Sequence, residues 1–324
     1  MIFQCNDIKV KMNEAGKERK PFLFAIDFEM EEGFFISDPM CQFQILFDIK
    51  GTSNAYTSLP TLPEGYLFEA NPENYDTYRA RFKVVMEGLK RGDSYLANLT
   101  IKTPLQSTLS TEDIFRFSKA TYKLCVPGRW VCFSPECFVC IARGKILTFP
   151  MKGTIDALLP HAREVILHDP KETAEHNTIV DLLRNDLSKT ATSVKVNRFR
   201  YIDKLKTNKG PILQVSSEIE GALPEDYFDH LGTLFFELLP AGSVSGAPKE
   251  ATLRLIKEAE KEPRGYYTGV AGYFDGEVLE SFVLIRFIEQ CGSQLFFRSG
   301  GGITANSDCR KEYEESIKKI YLPF

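Results

Sequence analysis

Four glutamates stand in two pairs of matching spacing: Glu172 and Glu175 in PKETAEHNTIVDLLRNDL, and Glu312 and Glu315 in RKEYEESIKK. A separation of three puts both carboxylates of a pair on one helix face, about a turn apart. Two such helices facing each other would offer four oxygen donors to a hard cation. Mg²⁺ commonly takes only one or two protein carboxylates, which leaves room for water and an anionic substrate. The same spacing also describes two solvated acidic faces, and spacing alone does not separate the two readings.

Glu136 and Lys152 flank a hairpin whose turn falls near Arg143-Gly144-Lys145. Opposed residues of an antiparallel pair have a constant sum, so a turn centred on Gly144 predicts these two side chains opposite or one position apart. A carboxyl group and an amine so placed can divide acid and nucleophile work, provided the amine is unprotonated when it attacks. An ordinary cross-strand ion pair has the same pattern. A second hairpin, GVAGYFDGEVLESFVLIRF, with a two-residue turn at Asp275-Gly276, would set Arg286 opposite Gly265 and make Tyr267 its diagonal neighbour. An arginine at the end of so apolar a strand wants a carboxylate, either internal or from an acidic substrate. Gly300-Gly301-Gly302 falls between a strand and the final helix, where free N–H groups can meet an anion. PAGSVSGAPK lacks the Gly-Lys-Ser/Thr ending of a nucleotide phosphate loop, which argues against ATP or GTP.

The elements that must carry these residues read as follows. Residues 1–68 resemble short strands and turns (PFLFAIDFEM, GFFIS, QFQILFDI). Residues 74–91 have helical apolar spacing and end at Gly92. Helices are expected over 112–122, from Pro170 through the DLLRNDL stretch, near 225–238, at EATLRLIKEAEK and at RKEYEESIKKI. Long strands with tight hairpins between single helices predict an α+β fold dominated by antiparallel sheet, with a seam only between a β-rich region 1–68 packed on the core and a main unit 69–324. The 324 residues carry 40 basic and 44 acidic side chains, with no basic run, so nucleic acid is not an expected partner. No segment approaches a membrane span and the opening lacks an apolar leader, so a cytoplasmic protein is expected. The eight cysteines, with only Cys137 and Cys140 as a CxxC pair, read as reduced thiols.

SPECF, PMKGT, DPKETAEHNTIVDLLRNDL, PAGSVSGAPK, RGYYTGVAGYFDG, VLIRF, GGGIT and EYEESIKK occur in this order from about residue 70 to the end. Together they resemble the chorismate-utilising enzymes, which include anthranilate, aminodeoxychorismate, isochorismate and salicylate synthases. The resemblance implies large antiparallel sheets packed face to face with helices outside and a central cleft. It implies Mg²⁺ held directly by Glu175 and Glu315, with Glu172 and Glu312 assisting through water. It further implies chorismate carboxylates held by Arg286, Tyr267, Lys319 and the Gly300–Gly302 backbone, Ser245 where relatives have a substrate-touching Thr, and Glu136 as the acid that protonates the departing C4 hydroxyl.

Lys152 in PMKGT resembles the lysine of the aminodeoxychorismate synthase branch, where anthranilate and isochorismate synthases usually carry Ala. The implied path is attack by the lysine amine at C2 of chorismate, then addition at C4 of ammonia delivered by a glutamine amidotransferase subunit. Anthranilate synthase component I is the nearest alternative, and a non-catalytic chorismate- or partner-binding subunit is one of a different class. The chain departs from the family pattern at Leu96 (Gln or a Lys base in relatives), Gln214 (commonly His) and Phe287 (often Thr). The short N-terminal region shows no match to a tryptophan-binding segment, so no tryptophan inhibition is expected.

Overall fold

The computed structural model describes residues 2–55, 61–207 and 210–324; of the 1–68 region, residue 1 and residues 56–60 lie outside these. In chain order the first part runs β1 (Ile2–Gln4), α1 (Cys5–Lys17), β2 (Phe22–Ile26), β3 (Glu32–Ser37), β4 (Leu46–Ile49), β5 (Thr52–Ser53), β6 (Phe68–Ala70), α2 (Tyr75–Arg91), β7 (Leu96–Ser107), α3 (Thr111–Phe117), β8 (Tyr122–Val126) and β9 (Trp130–Ser134). The middle runs β10 (Cys137–Ala142), β11 (Lys145–Thr148), β12 (Met151–Asp156), α4 (Ala162–His168), α5 (Pro170–Leu187), β13 (Thr192–Thr207) and β14 (Gly210–Ala222). It closes with α6 (Leu231–Phe236), α7 (Gly242–Ser245), β15 (Gly246–Ala247), α8 (Lys249–Glu260), β16 (Val270–Phe274), β17 (Leu279–Val283), β18 (Phe287–Cys291), β19 (Gln294–Ile303) and α9 (Cys309–Lys318).

These strands form two antiparallel sheets. One has the order β1-β3-β2-β16-β17-β10-β11-β14-β12, with β13 also on β14. The other has the order β15-β7-β19-β18-β9-β8-β4-β5, with β6 also on β7. They pack face to face, and β2 shows why its sequence is apolar throughout. Leu23 and Ala25 point to the layer shared with Phe47, Tyr122, Trp130 and Phe287 of the other sheet. Phe22, Phe24 and Ile26 point the opposite way, to Ile8 and Met12 of α1 and Phe235 of α6. Alternate side chains leave opposite faces of a strand, and here both faces are covered. Strands from the first 68 residues enter both sheets, β2 pairing with β16 and β4 with β8.

Three local expectations are corrected. Residues 5–17 form α1 rather than strand and turn, burying Cys5, Ile8, Met12 and Gly16 at helical spacing. The two-residue turn between β16 and β17 is Gly276-Glu277: Phe274 pairs with Leu279, and Asp275 N donates to Val278 O at 3.2 Å. Gly276 takes φ +106° there, and Asp275 Oδ1 accepts from the N–H groups of Glu277 and Val278. Gly300–Gly302 belong to β19, paired with Thr100, Leu99 and Asn98 of β7, rather than to a loop.

Candidate active site

The β10–β11 ladder runs from Cys140 opposite Leu147 to Ala142 opposite Lys145 and does not reach Glu136 or Lys152. Phe149-Pro150 interrupts the outgoing strand because proline has no N–H to donate. The chain resumes as β12 along β14, with Met151 opposite Ser216. Glu136 and Lys152 are therefore not cross-strand partners. They converge another way, as walls of one cavity of about 70 Å³ shared with Thr148, Ile179, Leu183 and Ser243. Ser243 Oγ donates to Glu136 Oε1 at 2.7 Å.

Beside this cavity lie the acidic helices. α5 is started by Asp169, whose carboxylate accepts from Glu172 N, with Pro170 in its first turn; α9 is started in the same way by Asp308. Gly153 of β12, at φ +83°, admits Glu172: a Cβ there would meet Glu172 Oε2 at 2.8 Å. A Cβ on Gly301 would lie 3.5 Å from Glu312 Oε2, 3.6 Å from Lys319 Nζ and 3.8 Å from Glu315 Oε1. The glycine strand thus lets α9 bring its charged face close to the sheet.

The fields in this region are mutual. Burial, followed by Glu175, raises Glu172 above the usual carboxylate range. Burial also raises Glu312, with Glu315 adding to the effect. Burial would raise Glu315 too, but Lys319, 2.8 Å away, and Lys152 outweigh it and lower the group. Burial disfavours the charge on Lys171, yet Glu175, Glu312, Glu315 and Glu172 together raise it. One ammonium within electrostatic reach of all four glutamates places the two pairs near one another. Among the described residues no three acidic, His or Cys groups are gathered as a preformed metal cluster. The donor set is all carboxylate, which suits a hard cation taking one or two protein ligands and filling its other positions with water and substrate.

Arg286 sits at the corner where the chain leaves β17 for β18, at φ +53°. Its guanidinium lies 5.7 Å from the centre of the Tyr321 ring, and its Nε is buried without a hydrogen-bond partner. No Asp or Glu among the described residues forms an ion pair with it, which leaves a charged donor facing the site without an internal counter-ion. Lys319 donates to Gly300 O at 2.7 Å, and burial lowers its proton affinity although Glu315 is its partner. That bond shows Gly300 turning its polar backbone away from β7, toward α9.

Two expected residues are buried. Tyr267 is only 3% exposed in the layer between the sheets, against Phe287, and burial pushes its phenol up to about 12. Ser245 is fully buried and its hydroxyl bonds back to Ala241 O. Leu96 lies beside Gly302, its Cδ1 3.1 Å from where a Cβ would be, and Gln214 pairs with Thr154 and Asp203 on the β14 ladder.

His176 was overlooked in the sequence. It is fully buried one α5 turn after Glu172, with Nε2 2.7 Å from Ser217 Oγ, and its ring is held neutral by burial and Arg200, with the proton affinity lowered to about 4. The spacing of four from Glu172 was the available signal. Ser243 and Lys171 gave none.

The chorismate binding enzyme profile matches residues 46–323. An uncharacterised PabA-like protein of Haemophilus influenzae is 50% identical over 96% of this chain and 94% of its own. Aminodeoxychorismate synthase component 1 of Bacillus subtilis is 30% identical over 82% of this chain and 59% of its own. Among solved structures, a 2,3-dihydroxybenzoate-specific isochorismate synthase of Bacillus anthracis superposes with TM-score 0.73 over 99% of this chain and 89% of its own, at 20% identity, which speaks to fold. Anthranilate synthase component I of Streptococcus pneumoniae superposes with TM-score 0.64 at 27% identity over 82% of this chain and 60% of its own. With its paired sheets, acidic helices and glycine strand, the chain belongs to the family of chorismate binding enzymes.

Proposed function

We propose that the chain is an aminodeoxychorismate synthase component I, converting chorismate and ammonia to 4-amino-4-deoxychorismate with a separate glutaminase subunit as the ammonia source. The observation that carries this reading is the shared cavity of Lys152 and Glu136, with the four glutamates of α5 and α9 near one another beside it. The Bacillus subtilis relative of that name supports it. Arg286 and Lys319 bind the substrate carboxylates, assisted by the N–H groups of Gly300 and Gly302. Tyr267 packs against Phe287, the residue after Arg286, and Ser245 ends α7, the short helix that carries Ser243. Magnesium, when bound, supplies positive charge at the ring carboxylate; Glu175 and Glu315 would hold it, with Glu172 and Glu312 acting through water.

The Lys152 amine attacks C2 of the ring while Glu136 gives its proton to the departing C4 hydroxyl, which leaves as water. Ammonia then bonds at C4 as the C2–N bond breaks, returning the amine to Lys152. Splitting one displacement in two is the advantage of the covalent route.

The test is product analysis of chorismate incubated with Mg²⁺ and an ammonium salt, for the natural chain and for Lys152→Ala. Accumulation of 4-amino-4-deoxychorismate, largely lost in the variant, is expected. Anthranilate with pyruvate would instead indicate anthranilate synthesis. No turnover even with a glutaminase partner would indicate a binding subunit.

A further inference from the structure

Glu136 is fixed through its main chain by two bonds: its N–H donates to Ser134 Oγ at 3.1 Å, and its carbonyl accepts from Val283 N at 3.1 Å. Its side chain has a single hydrogen-bond partner among the described residues, the Ser243 hydroxyl at 2.7 Å. Ser243 is held rigidly from behind. At Gly242 an added Cβ would meet Leu182 Cδ2 at 2.2 Å and Asp186 Oδ2 at 2.6 Å, so α7 lies directly on α5. The next residue's carbonyl, Val244 O, accepts from the fully buried Arg264 guanidinium at 2.9 Å. Ser243 is the one residue of α7 that is not buried. A hydroxyl held this firmly and aimed into the cavity does more than fill space.

We propose that Ser243 is a positioning residue for proton delivery: its hydroxyl occupies Glu136 Oε1 and so leaves Oε2 to carry the proton to the leaving oxygen. This rests on the general-acid role of Glu136 proposed above. As the C4–O bond breaks, the Oε2 proton passes to that oxygen and the carboxyl becomes a carboxylate. The Ser243 donor is kept, and its bond strengthens because the acceptor is now charged. An interaction stronger after proton transfer than before it lowers the barrier rather than tightening substrate binding.

The experiment measures kcat and KM for 4-amino-4-deoxychorismate formation, with thermal melting, in Ser243→Thr, Ser243→Val and Ser243→Ala, each alone and combined with Glu136→Gln. Thr and Val have matched size and differ in the hydroxyl, so packing loss affects both alike. Expected are kcat about 10- to 100-fold lower in Val and Ala, KM within about twofold, and recovery to within about threefold in Thr. In the Glu136→Gln background, removing the Ser243 hydroxyl should cost almost nothing more.

Full kcat in Ser243→Val overturns the inference. So does equal loss in Thr and Val, or the same further loss in the Glu136→Gln background. If Glu136→Gln aminates at the natural rate, the acid assignment falls and the inference with it. If Glu136→Gln is inactive while Ser243→Val is normal, only the inference falls.

Discussion

Gly153 and Gly51 share a backbone conformation but not surroundings, and that contrast isolates the role of Glu172. Gly153 has φ +83° with Glu172 Oε2 at 2.8 Å from a virtual Cβ; Gly51 has φ +89° with nothing within 4 Å. Alanine at either position must adopt a left-handed conformation, costing roughly 1–2 kcal/mol. For a chain of this length that corresponds to a melting temperature lower by about 2 °C in both variants. Gly153→Ala has a second effect, because ordinary contact begins near 3.4 Å. The Glu172 carboxylate must retreat by the difference between 2.8 and 3.4 Å. Displacing a group that orients a metal's direct ligands typically weakens metal affinity or activity about 10- to 100-fold. The assay is initial-rate amination across a Mg²⁺ titration, alongside thermal unfolding. Gly153→Ala should need at least about tenfold more Mg²⁺ for half-maximal rate, while Gly51→Ala should follow the natural curve. A Gly153→Ala curve matching the natural one refutes the placement of Glu172 in the metal environment. An equal Mg²⁺ shift in Gly51→Ala refutes the claim that local crowding causes it.

Arg286→Met removes a guanidinium that has no internal acidic partner, so unfolding by urea should show stability unchanged or slightly raised, while calorimetry shows chorismate affinity about tenfold or more weaker. A collapse in stability with unaltered binding would contradict the assignment. Asp27 tests a pH effect away from the site. Its carboxyl is raised to about 6 by burial and Glu29, although its Oδ1 accepts from Glu31 and Glu32 N–H groups. The unfolded chain ionises this group near 3.9, so folding stability from it is complete below that pH and lost as pH rises through 6. Asp27→Asn keeps the acceptor oxygen without the charge. It should therefore gain about 1–3 kcal/mol over the natural chain at pH 7.5, and the gain should shrink below pH 6. Parallel stability–pH curves for the two proteins would exclude this account.

The antiparallel character of the fold and the helical placement of the carboxylate pairs were legible in the sequence because each rests on a local period, whereas the face-to-face packing of the sheets came only with the family resemblance. Glu172 and Glu175, like Glu312 and Glu315, needed only a helix to share a face. Misreadings arose where two periods compete or where a side chain redirects the backbone. Ile8, Val10 and Met12 alternate as in a strand, yet Ile8 and Met12 also fit a helix, and only packing against α6 decides for α1. Asp275 looked like a turn residue, but its carboxylate caps the turn from the position before it. Gly300–Gly302 read as loop because glycine packs poorly in strands; the close approach of α9 supplies the reason for its use here. The constant-sum argument held from Cys140 to Lys145 and failed at Pro150, where the ladder loses a donor. Ser243 and His176 bond partners more than 40 positions away; the spacing of His176 from Glu172 was a local hint, but no local pattern encodes the Ser243 contact.

β19, the last strand of the chain, lies inside its sheet, between β7 and β18. A ribosome-bound chain that has made everything up to β18 holds this sheet as two fragments, each with a bare edge where β19 belongs. The α9 glutamates emerge later still. The second sheet is therefore completed only once β19 has emerged, and until then two unpaired edges are open to other nascent chains. Three successive glycines lower the β-propensity and hydrophobicity of the strand that must arrive last, which makes that strand itself a poor seed for intermolecular pairing.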